Sequence, residues 1–193
     1  MDALARNYTN LLISENLIPA DEGDIYNYGV QVLFTTFSTL LLSLVLGALT
    51  GFLSETILFA VAFFPTKSSC GGFHASTPSR CIFASILAVG IAVASGTMPL
   101  TMPIVLVVLA LGLGLIAWLA PVIHPNHPHS ATRVLALRRR ARVVGVATSS
   151  LVVLASLLCL SSATTMAVAY LISCLGMPLS LLIGQATLSP PQT

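Results

Sequence analysis

Hydrophobic residues gather into six long apolar segments along the chain, separated by short turns or by polar connections. A helix needs roughly 20 apolar residues to cross about 30 Å of hydrocarbon, and backbone polar groups in lipid must be paired internally. The pattern therefore predicts membrane helices, the second of which is short enough to be tilted or re-entrant. The segments cover residues 29–50, 53–65, 80–96, 99–120, 143–161 and 164–184.

The composition also indicates a membrane protein. Of the 193 residues, 56% are hydrophobic and only 7% are charged, whereas about a quarter of a soluble domain is charged. Apolar runs such as residues 104–109 do not alternate with polar residues, which excludes a β-barrel. We therefore predict an all-α polytopic membrane helical bundle. Its expected parts are an N-terminal amphipathic or polar segment (1–24), a single transmembrane helical domain (25–187) and a C-terminal tail (188–193).

The first 24 residues are acidic, with five carboxylates against the single basic residue Arg6. A secretory signal peptide is basic and then apolar, so this segment is not expected to be one. Two alternatives stay open for it. Its leucines and isoleucines would form one face of a short amphipathic helix on the membrane surface, or the segment would be a frayed polar tail.

Basic residues mark two long polar connections, 66–79 and 121–142. Lys67 lies in the first, Arg80 directly follows it, and five arginines occupy the second. Cytoplasmic loops collect Lys and Arg, so both connections are expected on the cytoplasmic side. With an even number of crossings both termini are cytoplasmic too, which predicts a multi-pass protein of the cell membrane.

The first connection carries the candidate chemistry, a histidine and a cysteine seven residues apart. On one continuous helix His74 and Cys81 would be separated by roughly 10 Å of rise, too far for an imidazole to activate a thiol. Pro78 suits the first helical position and disfavours a helical Thr77. A helix is therefore predicted to begin at Pro78, with Thr77 as its N-cap. Cys81 would then lie in the first turn, where the helix N-terminus and Arg80 favour a thiolate.

Other interpretations of these residues stay open. One is a metal site formed by Cys70, His74 and Cys81, but their irregular spacing matches no standard zinc pattern. Cys70 is an alternative nucleophile, although it precedes the glycine pair and lacks a helix start. In a small membrane transporter or interaction protein the pair would be structural. Transporters usually bury ionisable groups at the midplane, however, and residues 82–120 and 143–184 hold none except Cys and Tyr.

A glycine-rich run in the first connection resembles the signature of the accessory gene regulator protein B (AgrB) family. The run is Gly-Gly-Phe-His-Ala-Ser at residues 71–76, followed by Cys81. The resemblance covers roughly residues 20–185, and it departs from the family at position 67, where Lys stands in place of the usual Arg. The second connection, 121–142, also lacks the acidic residue that the family pattern leads us to expect there. Further similar positions are Tyr28-Gly29, Glu55 and Ala120-Pro121.

The resemblance implies a membrane cysteine endopeptidase that processes a quorum-sensing propeptide. Cys81 would cleave the propeptide at its C-terminal side, with His74 as base and then acid, and hold the N-terminal portion as a thioester. An internal Cys or Ser of the propeptide would then close a thiolactone or lactone ring. The supporting or substrate-binding residues are expected to be Lys67, Gly71, Gly72, Ser76, Arg80, Arg138, Arg139 and Arg140.

The arginines have two interpretations, contact with anionic lipid headgroups or docking of an acidic propeptide tail. The expected partners are a propeptide with an amphipathic leader and an acidic tail, the lipid bilayer, and a second copy of the chain, with a homodimer as one option. No nucleic acid, metal or cofactor is expected. Glu55 is expected to be interfacial, Cys159 and Cys174 are expected to be core thiols, and adventitious metal binding or no role is preferred for His124, His127 and His129.

Overall fold

The computed structural model describes residues 2–71, 78–98, 100–123, 131–158, 162–184 and 187–188. Within them, seven α-helices follow one another, with one 3₁₀ turn at Ala20–Glu22. Two strands of two residues each, β1 (Val122–Ile123) and β2 (Thr187–Leu188), pair antiparallel. The helices are α1 (Asp2–Ser14), α2 (Gly23–Thr50), α3 (Leu53–Cys70), α4 (Pro78–Ser95), α5 (Met102–Leu119), α6 (Ala131–Leu157) and α7 (Ala163–Leu182).

Four of the described helices are long and apolar enough to cross a membrane. α4 (Pro78–Ser95) is apolar and has 18 residues, as many as α5, although the part counted as an apolar helix is Ser79–Ser95. The 18 residues of α3 include Glu55, Pro65 and Lys67. The described residues therefore form a helical membrane protein with four full-length candidate spans, and the count of six predicted from sequence is not confirmed. The four spans are Ala20–Thr50, Met102–Leu119, Thr132–Leu157 and Ala163–Leu182.

Helix α7 has the most deeply buried face and packs against α3, α4, α5 and α6. Tyr170, Cys174 and Met177 have no exposed surface, and their i, i+4, i+7 spacing puts them on one helix face. Gly112 of α5 leaves room for the Tyr170 ring, because a Cβ at position 112 would overlap it. Cys174 is thus a core thiol, as predicted, whereas Cys159 lies outside the described residues.

Helix α3 does not end at residue 65, and this corrects the predicted boundary of the first connection. The helix continues through Pro65 to Cys70, so Lys67 lies in its last turn and not in a loop. Thr66, Ser69 and Cys70 are all buried, and their spacing forms one inward face of the helix. The Thr66 hydroxyl donates to the Ala62 carbonyl at 2.8 Å, which satisfies this polar group inside the bundle. Tertiary burial therefore extends the helix past its proline.

Helix α6 begins at Ala131, well before the apolar segment predicted at 143–161. Residues 131–142 of the second connection are thus helical, and its five arginines lie in the first turns of α6. Ala, Leu and Arg are strong helix formers. In addition, Val134 and Ala141 are buried and lie seven residues apart, on the same face of the helix. The apolar pattern of the sequence did not include this part of the helix, because five arginines interrupt it.

The N-terminal segment forms a helix, the first of the two alternatives that the sequence left open. α1 packs against α2 through a face that buries Ala5 and Thr9. Leu4, Tyr8 and Leu11 are exposed at helical spacing, which suits a helix lying on a membrane surface.

Candidate functional site

The structure describes helix α4 from Pro78 onward, with Cys81 in the first described turn, in agreement with the predicted helix start. Proline needs no backbone N–H at this position, and its fixed φ suits the first turn. The Cys81 side chain is half-buried. Thr77 and His74, together with Gly72 and Ser76, lie outside the described residues, so the predicted N-cap and the predicted His74–Cys81 pair remain predictions.

Gly71 ends α3 with a backbone conformation that favours glycine, at φ +74° and ψ −163°. Its N–H donates to the Lys67 carbonyl at 3.1 Å. A Cβ at position 71 would overlap the backbone carbonyl oxygen of Val122 in β1. The two polar connections of the sequence therefore meet here, and the backbone that approaches Gly71 in this structure is the chain's own. Close approach of a substrate backbone to Gly71 remains a prediction.

A cavity of about 270 Å³ lies between α3, α4 and α7 and reaches Cys81. Lys67 and Gly71 line it from the end of α3. Most other lining residues are apolar or small, with Ser85 and Ser173 as further polar side chains. The remaining lining residues are Phe63, Ala84, Ala88, Ile172, Leu175, Gly176 and Leu179.

Lys67 is the one cationic side chain among the residues that line the cavity. Burial lowers the pKa of the Lys67 ammonium, while electrostatic interaction with Cys81 acts in the opposite direction and raises it. The ammonium also lies 5.3 Å from the centre of the Phe63 ring, within the range of a cation–π contact. The structure therefore brings Lys67, Gly71 and Cys81 together.

Tyr28 of α2 lies near Cys81, close enough for the two acidic groups to repel each other when both are ionised, and α2 packs against α4. Reasoning from the chemistry of the first connection missed this neighbour, because Tyr28 is more than 50 positions away in the sequence. The available signal was its resemblance to the AgrB pattern at Tyr28-Gly29. Arg80 is exposed, and it already interacts with another group of the protein.

Cys70 has no exposed surface and does not line the cavity. Burial raises the pKa of the Cys70 thiol to about 12, and the neighbouring Cys174 adds to this rise. At neutral pH Cys70 is therefore a protonated thiol without access to a substrate. This environment argues against Cys70 as the nucleophile.

The arginines of α6 do not line the cavity. Arg138, Arg139 and Arg140 are consecutive on a helix, and successive residues point about 100° apart. The three side chains therefore cannot all face one ligand. Arg139 and Arg140 are exposed, whereas Arg138 is half-buried and makes an interaction of its own.

The other residues that the sequence analysis singled out, Glu55 and three histidines, lie away from the cavity or outside the described parts of the chain. Glu55 is in the first turn of α3 and accepts a hydrogen bond from the Ser54 hydroxyl at 2.8 Å. It is 12 residues from Lys67, or roughly 18 Å along the helix. His124, His127 and His129 fall in the gap between residues 123 and 131. Within the described ranges, no three His, Cys, Asp or Glu residues form a group that could hold a metal ion.

These features define a helical membrane protein with a cysteine at a helix start and a cavity beside it. The family model for accessory gene regulator B (AgrB) matches residues 5–183. The chain therefore belongs to the AgrB family, and membership implies accessory gene regulator function in the processing of a quorum-sensing peptide. Neither the curated proteins nor the solved structures contain a match.

Proposed function

We propose that this protein is a membrane-embedded cysteine endopeptidase that cleaves a short autoinducing propeptide at its C-terminal side, with Cys81 as the nucleophile. The observation that supports this most directly is the position of Cys81, in the first turn of α4 and on the wall of a cavity shared with Lys67. A helix N-terminus and a nearby cation both favour a thiolate. AgrB family membership supports a peptide substrate.

The proposed reaction has two acyl transfers. His74 takes the proton from the Cys81 Sγ, and the sulfur attacks the scissile carbonyl carbon. The C–N bond breaks, and the imidazolium of His74 gives its proton to the departing amine, which releases the C-terminal fragment with its acidic tail. The N-terminal portion stays bound to Cys81 as a thioester.

The second transfer closes the ring. A thiol or hydroxyl inside the bound portion loses its proton to His74 and attacks the thioester carbonyl. The carbonyl–sulfur bond breaks, Cys81 leaves as thiolate, and the product is a thiolactone or a lactone. An internal nucleophile held next to the thioester competes well with water, and the largely apolar lining of the cavity disfavours hydrolysis further.

Other residues have supporting roles in this proposal. Lys67 supplies positive charge near the Cys81 thiolate, and Gly71 lets β1 pack against the end of α3. Gly72, Ser76 and Arg80 border the nucleophile in the sequence and are proposed to help position the substrate. Arg138, Arg139 and Arg140 are proposed to attract the acidic tail, and their divergent directions suit a diffuse electrostatic attraction.

The proposed topology puts the site and both termini on the cytoplasmic side of the cell membrane. Lys67, Arg80 and the arginines of α6 support this orientation through the excess of cations in cytoplasmic loops. The propeptide's amphipathic leader would lie on the same leaflet, so that enzyme and substrate meet on one surface. A homodimer remains part of the proposal.

The decisive experiment is co-expression with the propeptide encoded by a neighbouring short reading frame. Cys81→Ser and His74→Ala are expected to abolish cleavage, because one removes the thiolate and the other its base. The variant proteins should still insert into the membrane and accumulate. Cleavage is measured by mass spectrometry of the released fragments.

Cys70→Ser is the matched control, since it makes the same atomic change eleven residues away. It is expected to retain cleavage activity. Normal cleavage by Cys81→Ser would exclude Cys81 as the nucleophile and with it the proposed mechanism.

A further inference from the structure

The cavity beside Cys81 has two walls of matched spacing. On α4 the lining residues are Cys81, Ala84, Ser85 and Ala88, and on α7 they include Ile172, Leu175, Gly176 and Leu179. Each set follows the i, i+3, i+4, i+7 pattern of a single helix face. The α4 wall extends roughly 10 Å along the helix axis, from the nucleophile to Ala88.

Small residues create this space. Ala84, Ser85 and Ala88 leave room along α4, and Gly176 leaves room on the facing wall of α7. Ser85 and Ala88 are each only 8% exposed, so the inner end of the cavity is well shielded. Leu175 and Leu179 are nearly half exposed and form its outer rim.

The size of the cavity limits its occupant. A volume of about 270 Å³ is too small for a helical leader, since a helix with its side chains is about 10–12 Å wide. It has room for one large apolar side chain, since an apolar cavity of about 150 Å³ already holds a benzene molecule. Because most of the walls are apolar, burial of such a side chain is favourable.

The chemistry at Cys81 decides which side chain this is. When Sγ bonds to a substrate carbonyl, the Cβ of the residue that owns this carbonyl is only two bonds from the reacting carbon. The residue on the amine side leaves after the first transfer, whereas the acyl residue stays throughout the lifetime of the thioester. A side chain that shields the thioester from water therefore belongs to the retained portion, and within it the acyl residue is the one closest to the reacting carbon.

We propose that the cavity lined by Ala84, Ala88 and Gly176 is the specificity pocket for the residue whose carbonyl is transferred to Cys81, and that it selects a large apolar side chain there. This inference rests on the proposed role of Cys81 as nucleophile. It adds the substrate class at the cleavage position and assigns residues that determine it.

The test uses peptidyl chloromethyl ketones, which react when a thiolate displaces chloride and forms a thioether. The full-length chain in lipid vesicles is treated with Ala-Ala-Leu, Ala-Ala-Gly and Ala-Ala-Glu chloromethyl ketones, and peptide mass spectrometry follows modification of Cys81. The leucine probe is expected to modify Cys81 at least about tenfold faster than the glycine probe, because an apolar pocket discriminates on this order for each methylene.

Ala84→Leu fills the pocket next to the nucleophile and is expected to remove the preference for leucine while the glycine probe still reacts. Ala94→Leu is the matched control, because it makes the same substitution at an exposed position of the same helix. This control should keep the full preference. Ala88→Leu provides a second test deeper in the pocket.

The outcomes separate the inference from the proposed function. Equal rates for leucine and glycine probes, the fastest reaction with the glutamate probe, or an unchanged preference in both Ala84→Leu and Ala88→Leu would overturn the specificity pocket while leaving Cys81 as nucleophile. Displacement of a tightly held lipid by Ala84→Leu, without an effect on probe preference, would assign the cavity to lipid. Failure of every probe to modify Cys81 would contradict the proposed function itself.

Discussion

Cys70 and Cys81 lie on opposite sides of one short connection, and their surroundings differ in almost every respect. Cys70 ends α3 with its side chain fully buried against the core, near Cys174. Cys81 lies half-buried in the first turn of α4, on the wall of a cavity that Lys67 also lines. The two cysteines share the same local sequence region, so the difference in their exposure comes from how each helix end packs against the core.

The largest expected effect is a difference in thiol reactivity. Raising the pKa of Cys70 from 9.0 to about 12 lowers its thiolate fraction at neutral pH roughly a thousandfold, and burial also blocks access. Iodoacetamide applied to native membranes should therefore modify Cys81 and leave Cys70 intact, as measured by quantitative peptide mass spectrometry. The reactivity of Cys70 should rise with increasing pH, because more of the thiol ionises.

Denatured protein is the control for this contrast. In detergent at high temperature both thiols should react at similar rates, since the difference comes from the folded environment. Comparable reactivity of Cys70 and Cys81 in native membranes would show that the two environments are not as distinct as the structure indicates.

A smaller but clear effect is expected from Gly71→Ala, which alters the junction between the two cysteines. The new Cβ would overlap the Val122 carbonyl oxygen at a positive φ, and such strain costs about 1–3 kcal/mol. We expect a lower Tm in a thermal-shift assay and a loss of propeptide cleavage on the order of tenfold, because the end of α3 and β1 must move apart.

Gly90→Ala is the matched control. A Cβ at position 90 has no neighbour within 4 Å, and alanine is the better helix former. This variant should keep its Tm and its activity. If Gly71→Ala behaved like Gly90→Ala, the contact between the two connections would have no importance for the site.

The smallest expected effect comes from the charge near Cys81. Lys67→Met removes the ammonium that lines the cavity together with Cys81, so propeptide cleavage should fall by about fivefold, the upper range for one interaction of a partly exposed charge. Lys67→Arg keeps the charge and should stay close to wild type. Unchanged cleavage by Lys67→Met would mean that Lys67 does not act on the site.

Several local features could be predicted from sequence because local chemistry controls them. Pro78 restricts the residue before it and suits a first helical turn, so the start of α4 and the position of Cys81 followed directly. The end of α3 could not be predicted in this way. Pro65 and the polar residues after it suggest a loop, but burial of Thr66, Ser69 and Cys70 against neighbouring helices keeps the chain helical.

The start of α6 was missed for the opposite reason. Arginines interrupt the apolar pattern, and only the packing of Val134 and Ala141 shows that this stretch is part of the same helix. The cavity also could not be predicted, since α4 and α7 are about 90 residues apart in sequence. Small residues at 84, 88 and 176 look unremarkable until the two helices face each other.

The sequence by itself determined that this protein belongs in a membrane, that it is helical, that α4 begins at Pro78 and that it resembles the AgrB family, which the family match confirms. These properties depend on composition, on local backbone restrictions and on short motifs. Only the tertiary structure decided which cysteine is buried, where Gly71 meets β1, and that a cavity lies beside Cys81. Those properties depend on which helix faces pack together, and packing is settled by contacts between residues that are distant along the chain.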